Sequence, residues 1–304
     1  MDFLYLLESI RFPALDKLML LVTHLGEETA FLVIALIVFW CVDKYHGYYM
    51  LGVGLLGNLL NQFMKITCRI PRPWVRDPNF TVVEAARAEA GGYSFPSGHT
   101  QTAVGTFGAV AATQKRKWIV AVCVVLAVLT AFSRMYLGVH TPIDVLVGGA
   151  MALVLVLALK PLMLGRNKRL IPVTFSIMLL LSAVFLVYLE LYPFPADIDA
   201  DNYASAMKNA YTFLGCFAGV LVVYIVDETK LHFPTKAAWW AQILKAVLGL
   251  GVVLLVKEGL RSPLEAIFNG HMIARAVRYF LIVVTAGIIW PLSFRLFDKK
   301  EKES

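Results

Sequence analysis

The chain has 304 residues, of which 59% are hydrophobic and only 16% are charged, and its mean hydropathy is +0.70. Soluble domains carry about 25% charged residues, so this composition excludes an ordinary soluble globular protein. The formal net charge is +7, but the basic residues are spread over short connections between apolar segments and form no continuous basic domain. We therefore expect an integral membrane protein that binds no nucleic acid.

In chain order, the first 24 residues alternate apolar and charged positions, which is typical of amphipathic helices lying in the membrane interface. Nine apolar segments follow, several of them shorter than the ~20 residues that a helix needs to cross a bilayer. They are residues 25–42, 48–64, 98–113, 118–133, 142–159, 170–189, 207–226, 237–256 and 277–294. The predicted fold is an all-α, polytopic membrane helix bundle with about nine transmembrane helices.

This pattern predicts three parts of the chain. Residues 1–24 form an interfacial amphipathic segment, residues 25–189 form a core with six transmembrane helices, and residues 190–304 form a C-terminal extension with three. A cleaved signal peptide is not expected, because Asp2, Glu8 and Arg11 interrupt the apolar run that such a peptide needs.

Three short segments hold nearly all the polar groups suited to chemistry: "KITCRIPRP" at 65–73, "FPSGHT" at 95–100 and "SRMYLGVHTPID" at 133–144. Lys65, Arg72 and Arg134 supply three cations without carboxylates close by in the sequence. Such a cluster calls for a polyanion, most simply a phosphate group. The sequence therefore predicts a phosphate-binding site that these three segments form on folding.

The segment around Ser97 and Gly98 stands at the start of a predicted helix. Ser97 suits the N-cap position, and Gly98 lets the backbone N–H groups of the helix start approach a bound anion closely. We predict that Ser97 and Gly98 join Lys65, Arg72 and Arg134 as residues that bind the substrate phosphate.

Two histidines can then divide the catalytic work. His140 and Asp144 are four residues apart and face the same side of a helix that begins near Pro142. A carboxylate there fixes the imidazole tautomer and raises the nucleophilicity of the other ring nitrogen. We predict that His140 attacks phosphorus, and that His99 protonates the leaving oxygen and later helps to activate water.

These motifs resemble the three signature motifs of the type 2 phosphatidic acid phosphatase superfamily, at every fixed position and spacing between residues 65 and 144. That family includes lipid phosphate phosphatases, glucose-6-phosphatase and vanadium-dependent haloperoxidases. The resemblance implies a metal-independent phosphatase that works through a phosphohistidine and needs no cofactor. The core at 25–189 is then the phosphatase part. The predicted nine-span layout is similar to that of glucose-6-phosphatase.

Lys and Arg counts suggest an orientation for the predicted spans. If the nine predicted spans alternate in direction, the connections on one side of the membrane carry 14 Lys/Arg residues and those on the other side carry 13. Setting aside Lys65, Arg72 and Arg134 as functional residues leaves 10 on the second side. The 14 are concentrated in short turns, where the positive-inside bias operates. We therefore expect a bacterial plasma-membrane protein whose active site faces the extracytoplasmic side, with the C-terminal tail inside the cell.

The leading functional hypothesis is hydrolysis of a phosphorylated lipid or an isoprenyl diphosphate that reaches the site from the bilayer. Undecaprenyl diphosphate, phosphatidic acid, phosphatidylglycerol phosphate and sphingoid phosphates all fit, and the sequence does not rank them. A sugar phosphate is the alternative substrate. A transporter that binds phosphorylated lipid without hydrolysis is the alternative of another class, although it has little need for His140 paired with Asp144. A homodimer is a further expectation.

Two connections leave alternatives open. Residues 74–95 contain a predicted short helix at 81–90 followed by Gly91 and Gly92, which suits either a hinged cover over the site or a passive link. The acidic stretch 190–203 has carboxylates that could bind a cation, but solvated loop acids are the favoured interpretation. The side chains of Asn58, Asn61 and Gln62 are expected to make interhelical hydrogen bonds that position Lys65.

Overall fold

The computed structural model describes residues 1–196 and 198–296 of the chain, without the side chain of Glu89. Within these residues every regular element is a helix and no strand is present, which confirms the all-α fold. The fifteen α-helices are α1 (Asp2–Ser9), α2 (Pro13–Thr23), α3 (Glu28–Ile37), α4 (Lys44–Cys68), α5 (Pro73–Arg76), α6 (Glu84–Glu89), α7 (Gly98–Thr113), α8 (Lys117–Tyr136), α9 (Pro142–Leu164), α10 (Leu170–Leu191), α11 (Ala200–Val226), α12 (Trp239–Gly259), α13 (Arg261–Ile267), α14 (Ile273–Val284) and α15 (Trp290–Leu292).

Several of these helices continue into tighter or wider turns. A 3₁₀ turn at His24–Gly26 follows α2, and π-helical turns extend α3 through Val38–Val42, α11 through Asp227–Leu231 and α14 through Thr285–Ile289. A 3₁₀ turn at Ser293–Leu296 follows α15. The predicted C-terminal tail from Arg295 therefore falls mostly outside the described residues.

Each of the nine predicted apolar segments contains a helix, but the described residues hold six helices long and apolar enough to cross a membrane. They are Lys117–Tyr136, Pro142–Leu164, Leu170–Leu191, Ala200–Leu231, Trp239–Ile267 and Ile273–Leu296. A seventh span results if the pair Pro13–Gly26 and Glu28–Val42, which bends by 52°, crosses as one unit. The protein is thus an integral membrane protein, and the count of nine spans is not confirmed.

Helices α4 and α7 account for most of the difference in the span count. Helix α7 has 16 residues, or about 24 Å at 1.5 Å per residue, which is shorter than the ~30 Å hydrocarbon core. Helix α4 has 25 residues, but its second half carries Asn58, Asn61 and Gln62. Helix α7 is therefore shorter, and α4 more polar in its second half, than the six helices counted as candidate spans.

The described residues divide into two compact units that interleave along the chain. The first comprises Met1–Leu32, Met50–Pro161 and Phe194–Ala206, and it contains every residue predicted for the site. The second comprises Val33–Tyr49, Leu162–Pro193 and the residues from Met207 onward. The division into parts 1–24, 25–189 and 190–304 stays a prediction, as does the interfacial location of α1 and α2.

Close packing between helices positions the site in the first unit. Helix α8 packs against α7 and α2, and small residues let other helices approach each other. A methyl group at Gly57 of α4 would overlap the side chain of Gln101 on α7, and one at Gly54 would overlap the ring of Phe31. The side-chain hydroxyl of Thr102 on α7 also donates to Asn58 Oδ1 at 3.4 Å. These contacts fix α4 against α7, which carry Lys65 and His99.

Candidate active site

Five of the predicted side chains line a single cavity of about 230 Å³ in the first unit. They come from four separate parts of the chain: the end of α4, the loop after it, the start of α7 and the segment from the end of α8 to the start of α9. The five are Lys65, Arg72, His99, Arg134 and His140. Three cations and two imidazoles therefore face a common volume that is large enough for a phosphate group.

Arg72 is held as a rigid clamp. Its side chain is 6% exposed, and its guanidinium donates to the carbonyl oxygens of Gly91 at 2.7 Å, Gly92 at 2.9 Å and Val139 at 2.9 Å. Its Nη1 also lies 2.9 Å from His140 Nε2. Burial lowers the pKa of Arg72 to about 10, so at neutral pH the guanidinium stays cationic.

The other two cations are anchored by equally local partners. Lys65 Nζ donates to the carbonyl oxygen of Tyr93 at 2.5 Å, which directly follows Gly91 and Gly92, whose carbonyls Arg72 contacts. Arg134 is 1% exposed, and its Nη1 donates to Thr23 Oγ1 at 2.5 Å. Both side chains are thus held at the cavity by hydrogen bonds to neutral oxygen atoms.

The tautomer of His140 follows from its partners. A guanidinium can only donate, so His140 Nε2 must accept from Arg72 and the ring proton sits on Nδ1. Nδ1 lies 3.6 Å from Asp144 Oδ2, too long for a hydrogen bond but close enough for electrostatic attraction. The basic nitrogen therefore faces the cations, as a nucleophile toward a bound phosphate requires.

Asp144 is itself oriented by neighbouring groups. It is 1% exposed, and its Oδ2 accepts from the Ser94 hydroxyl at 2.6 Å and from the Thr141 N–H at 2.8 Å. Ser94 was not among the residues predicted from the sequence. It stands two residues before the "PSGH" motif and reaches Asp144 across 50 positions of the chain, so no local pattern could have revealed its role.

Charge around His140 favours its neutral form. The imidazole is 2% exposed, and burial lowers its pKa well below the usual value, with further lowering from the cations Arg72, Arg134 and Lys65. The ring is therefore unprotonated at neutral pH. A neutral imidazole is the form that can attack phosphorus.

The start of α7 has the predicted cap. The Ser97 hydroxyl accepts from the Thr100 N–H at 3.4 Å and lies 2.9 Å from Thr100 Oγ1. Gly98 and His99 line the cavity, whereas Ser97 does not. Of the two residues predicted to bind phosphate here, Gly98 faces the cavity and Ser97 caps the helix start, and phosphate binding by both stays a prediction.

The cavity also contains residues that the sequence did not indicate. Gly26, Glu27 and Glu28, at the junction between α2 and α3, form part of its wall, as does Thr102 of α7. No motif marks them, because they reach the site only when α2 packs against α8. The expected interhelical hydrogen bonds are present for two amides of α4: Asn58 Nδ2 donates to Glu28 Oε1 at 3.2 Å, and Asn61 Nδ2 to Pro96 O at 3.4 Å. Both amides line the cavity too.

A wider pocket of about 580 Å³ shares Lys65, Arg72 and Gly91 with this cavity. Its opposite wall is formed by residues 199–206, which include Asp199, Asp201, Asn202 and Ser205. Asp199 also caps α11, since its Oδ1 accepts from the Asn202 N–H at 2.8 Å. The acidic stretch 190–203 therefore contributes a polar wall beside the site, although Asp197 lies outside the described residues.

The connection 74–95 is anchored at several points. Its predicted helix forms as α6, where Ala86 is fully buried and Ala90 is 7% exposed in an apolar cluster with Tyr136 and Leu137. The Val83 N–H donates to the Leu137 carbonyl at 3.1 Å. Beyond α6, Gly91 and Gly92 are exposed and supply the carbonyls that contact Arg72. Packing therefore ties residues 81–90 to the protein, and the hydrogen bonds from Arg72 and Lys65 hold the carbonyls of residues 91–93.

Among the described residues, no group of three or more His, Cys, Asp or Glu side chains could hold a metal ion. The charged groups that converge on the cavity are mostly cations, which attract phosphate oxygens directly.

Two family models match the chain, one in its first part and one in its C-terminal part. The model of the PAP2 superfamily matches residues 45–168, and that of the PAP2 superfamily phosphatase, transmembrane extension, matches residues 211–302. Phosphatidylglycerophosphatase B of Bacillus subtilis (strain 168) is 31% identical over 166 residues, which cover 50% of this chain and 76% of that protein. The chain belongs to the PAP2 superfamily. It is a phosphatase of that superfamily with the transmembrane extension.

Two further relatives of the PAP2 chain are more partial. Undecaprenyl-diphosphatase BcrC of Bacillus subtilis (strain 168) is 31% identical over 136 residues, 43% of this chain and 66% of that protein. The undecaprenyl-diphosphatase of Sulfolobus acidocaldarius is 41% identical over 56 residues, 18% of this chain and 27% of that protein. No solved structure matches the chain. The family predicted from the three motifs is thus confirmed, whereas the glucose-6-phosphatase-like layout is not.

Proposed function

We propose that this phosphatase hydrolyses a phosphate monoester or diphosphate on a membrane amphiphile. The observation that carries this proposal is the convergence of Lys65, Arg72, His99, Arg134 and His140 on one cavity, with Asp144 behind His140. Three relatives support the substrate class, since one is named for phosphatidylglycerophosphate and two for undecaprenyl diphosphate. The spans of this chain hold it in the bilayer where such substrates reside.

In the first chemical step, His140 Nε2 attacks phosphorus and forms a P–N bond while the P–O bond to the leaving group breaks. Lys65, Arg72 and Arg134 stabilise the charge on the three equatorial oxygens. Burial and the neighbouring cations lower the pKa of His99 to about 2, and the negative charge of a bound phosphate opposes this shift, so His99 takes up a proton together with the substrate. The departing oxygen then takes that proton, and the leaving group departs as a neutral alcohol, or as a protonated phosphate from a diphosphate. Asp144 stabilises the positive charge that develops on the imidazole of His140.

In the second step, water attacks the phosphohistidine. His99, now neutral, accepts a proton from the water as its oxygen bonds to phosphorus. The P–N bond breaks, inorganic phosphate is released, and the imidazole of His140 returns to its starting tautomer. The cations that bound the ester then bind the product, so inorganic phosphate should be a competitive inhibitor.

The test of the proposed function is phosphate release by the purified protein across a substrate panel in detergent with excess chelator. The panel contains phosphatidylglycerol phosphate, undecaprenyl diphosphate, phosphatidic acid, a sphingoid phosphate and glucose 6-phosphate. We expect turnover of at least one lipid substrate with EDTA present. No release from any lipid phosphate would overturn the proposal, and a protein that only binds or transports phosphorylated lipid would give that result.

We also propose that the cavity opens to the extracytoplasmic side of a bacterial plasma membrane, a proposal that rests on the Lys and Arg distribution over the nine predicted segments. Sealed vesicles of known orientation test this directly. A membrane-impermeant, short-chain phosphate substrate should be hydrolysed when added to right-side-out vesicles, and hydrolysis seen only with inverted vesicles would contradict the orientation.

A sugar phosphate remains the second candidate because of the wider pocket beside the site. Asp199, Asp201 and Asn202 provide acceptors for hydroxyl groups next to Lys65 and Arg72. In the panel above, turnover of glucose 6-phosphate without turnover of any lipid phosphate would favour this candidate. The headgroup glycerol of phosphatidylglycerol phosphate also carries a free hydroxyl and would use the same wall.

A further inference from the structure

The second unit contains a basic pocket of about 310 Å³ that takes no part in the proposed chemistry. It lies among the early part of α11, α13 and the start of α14. Its charged lining consists of Lys208, Arg261, Glu265, Arg275 and Arg278. Four cations therefore face one carboxylate.

Among these residues, Arg278 gives the clearest evidence that the pocket binds a ligand. It is 9% exposed, yet its Nε has no hydrogen-bond partner in the part of the chain that the structure describes. Its guanidinium stacks on the Tyr279 ring, 5.4 Å from the ring centre, which accepts no conventional hydrogen bond from Nε. Burying an ionised donor without an acceptor is costly. The Nε donor of Arg278 is therefore satisfied only when a ligand bound in the pocket supplies a hydrogen-bond acceptor.

The charges around the pocket indicate that the ligand supplying this acceptor is an anion. Glu265 Oε1 lies 3.4 Å from Arg261 Nε, and both side chains are exposed, so this pair largely neutralises itself. Arg275 is held by a hydrogen bond from its Nε to Thr212 Oγ1 at 2.7 Å and by the ring of Tyr279 at 5.3 Å. Arg275, Arg278 and Lys208 remain as an excess of three cations over the paired residues.

The backbone also contributes to the positive electrostatic potential at the pocket. Helix α14 begins at Ile273 beside the pocket, and the first turn of a helix carries partial positive charge that favours anions. The pocket also joins two candidate membrane spans, Trp239–Ile267 and Ile273–Leu296. A connection between two spans lies at the same depth in the membrane as the phospholipid headgroups.

We propose that this pocket is a second anion site, which binds a phosphate-bearing ligand through Arg278, Arg275 and Lys208. Arginine forks match phosphate oxygens in a bidentate manner, and the position at the end of two spans favours the headgroup of an anionic phospholipid. Inorganic phosphate has the same chemistry and is the other source that the experiment must separate.

Thermal unfolding of the detergent-purified protein, followed by tryptophan fluorescence, tests the site without measuring turnover. The probes are short-chain phosphatidylglycerol, short-chain phosphatidylcholine and inorganic phosphate, with chloride at matched ionic strength. Phosphatidylglycerol should raise the midpoint saturably, and phosphatidylcholine should not. Arg278→Gln should weaken the apparent affinity at least about tenfold, because it removes a charge-assisted donor.

The variants separate this pocket from the catalytic cavity. Ligand bound at the catalytic cavity contributes equally to wild type and to Arg278→Gln, so only the difference reports on the pocket. Lys257→Gln makes the same charge change at a half-buried residue that does not line the pocket and should behave as wild type. If Arg278→Gln fails to fold, the double variant Lys208→Gln/Arg275→Gln decides the question with residues nearer the surface.

Two results would support the proposal and two would overturn it. Loss of the phosphatidylglycerol response in the pocket variants identifies a lipid headgroup site, and loss of a response to inorganic phosphate alone identifies a soluble phosphate site. The proposal fails if neither probe raises the midpoint of wild type, or if the pocket variants respond to both probes as Lys257→Gln does.

Discussion

The catalytic cavity of the first unit and the basic pocket of the second gather similar numbers of cations but differ in their histidines. In the cavity, His140 presents Nε2 to Arg72 while Asp144 lies behind Nδ1. In the pocket, Nδ1 of His271 accepts from the Ile273 N–H at 3.1 Å, so the ring is used as a helix cap. Cations alone can bind phosphate, whereas cleavage needs an imidazole whose lone pair is directed at phosphorus. This difference separates the proposed catalytic site from the proposed binding site.

The strongest test of this comparison is removal of the nucleophile. His140→Ala should lower kcat by about 10³-fold or more, because it removes the nitrogen proposed to form the P–N bond, while the three cations still bind phosphate. His46→Ala is the matched control, since His46 also pairs with an aspartate, Asp43, at 3.3 Å but lines neither site. Phosphate release and equilibrium binding of inorganic phosphate check both variants, and substantial turnover by His140→Ala would remove that residue from its role.

The next largest effect should come from the cations of the cavity. Arg134→Gln should lower kcat by about 10²- to 10³-fold, the range seen when one donor to a developing oxyanion is removed. Arg72→Lys keeps the charge but loses the fork that contacts both His140 and the carbonyls of Gly91 and Gly92, so it should also be impaired. Steady-state kinetics measure both. Wild-type kcat in either variant would contradict the proposed phosphate clamp.

A smaller effect is expected from Ser94, which acts through Asp144. Ser94→Ala removes the 2.6 Å hydrogen bond to Asp144 Oδ2, a bond to a charged group worth about 1.5–3 kcal/mol. We expect kcat to fall about ten- to a hundredfold, with KM little changed. Ser94→Thr retains the hydroxyl and should recover part of the loss, whereas equal loss in both variants would point to packing.

The smallest effect concerns stability against pH. Because burial and the neighbouring cations lower the pKa of His140 in the folded protein, the unfolded chain binds the proton first as pH falls below about 6.5. Stability attributable to His140 is therefore intact above that pH and is lost as pH falls, by at most about 1.4 kcal/mol per pH unit. His140→Asn should show a shallower fall in unfolding midpoint between pH 7.5 and 5.5. An equal fall in both proteins would show that other groups govern it.

The set of residues that converge on the cavity could be predicted from the sequence better than the number of membrane spans could. Lys65, Arg72, His99, Arg134 and His140 sit within fixed motifs, and phosphate chemistry constrains which residue types serve it. The positions of α4 and α7 could not be read in the same way, because hydropathy does not separate a membrane span from a helix buried within the protein. The contributions of Thr23 and Ser94 depend on contacts 111 and 50 positions away along the chain.

Gly148 shows how the two imidazoles keep their spacing. A methyl group there would come within 2.6 Å of the Ser97 carbonyl, and the Ser97 N–H donates to the Asp144 carbonyl at 2.9 Å. The turn that bears His99 and the helix that follows His140 are therefore joined main chain to main chain, with no side chain as a spacer. One added carbon atom at this junction would push His99 and His140 apart without touching either imidazole.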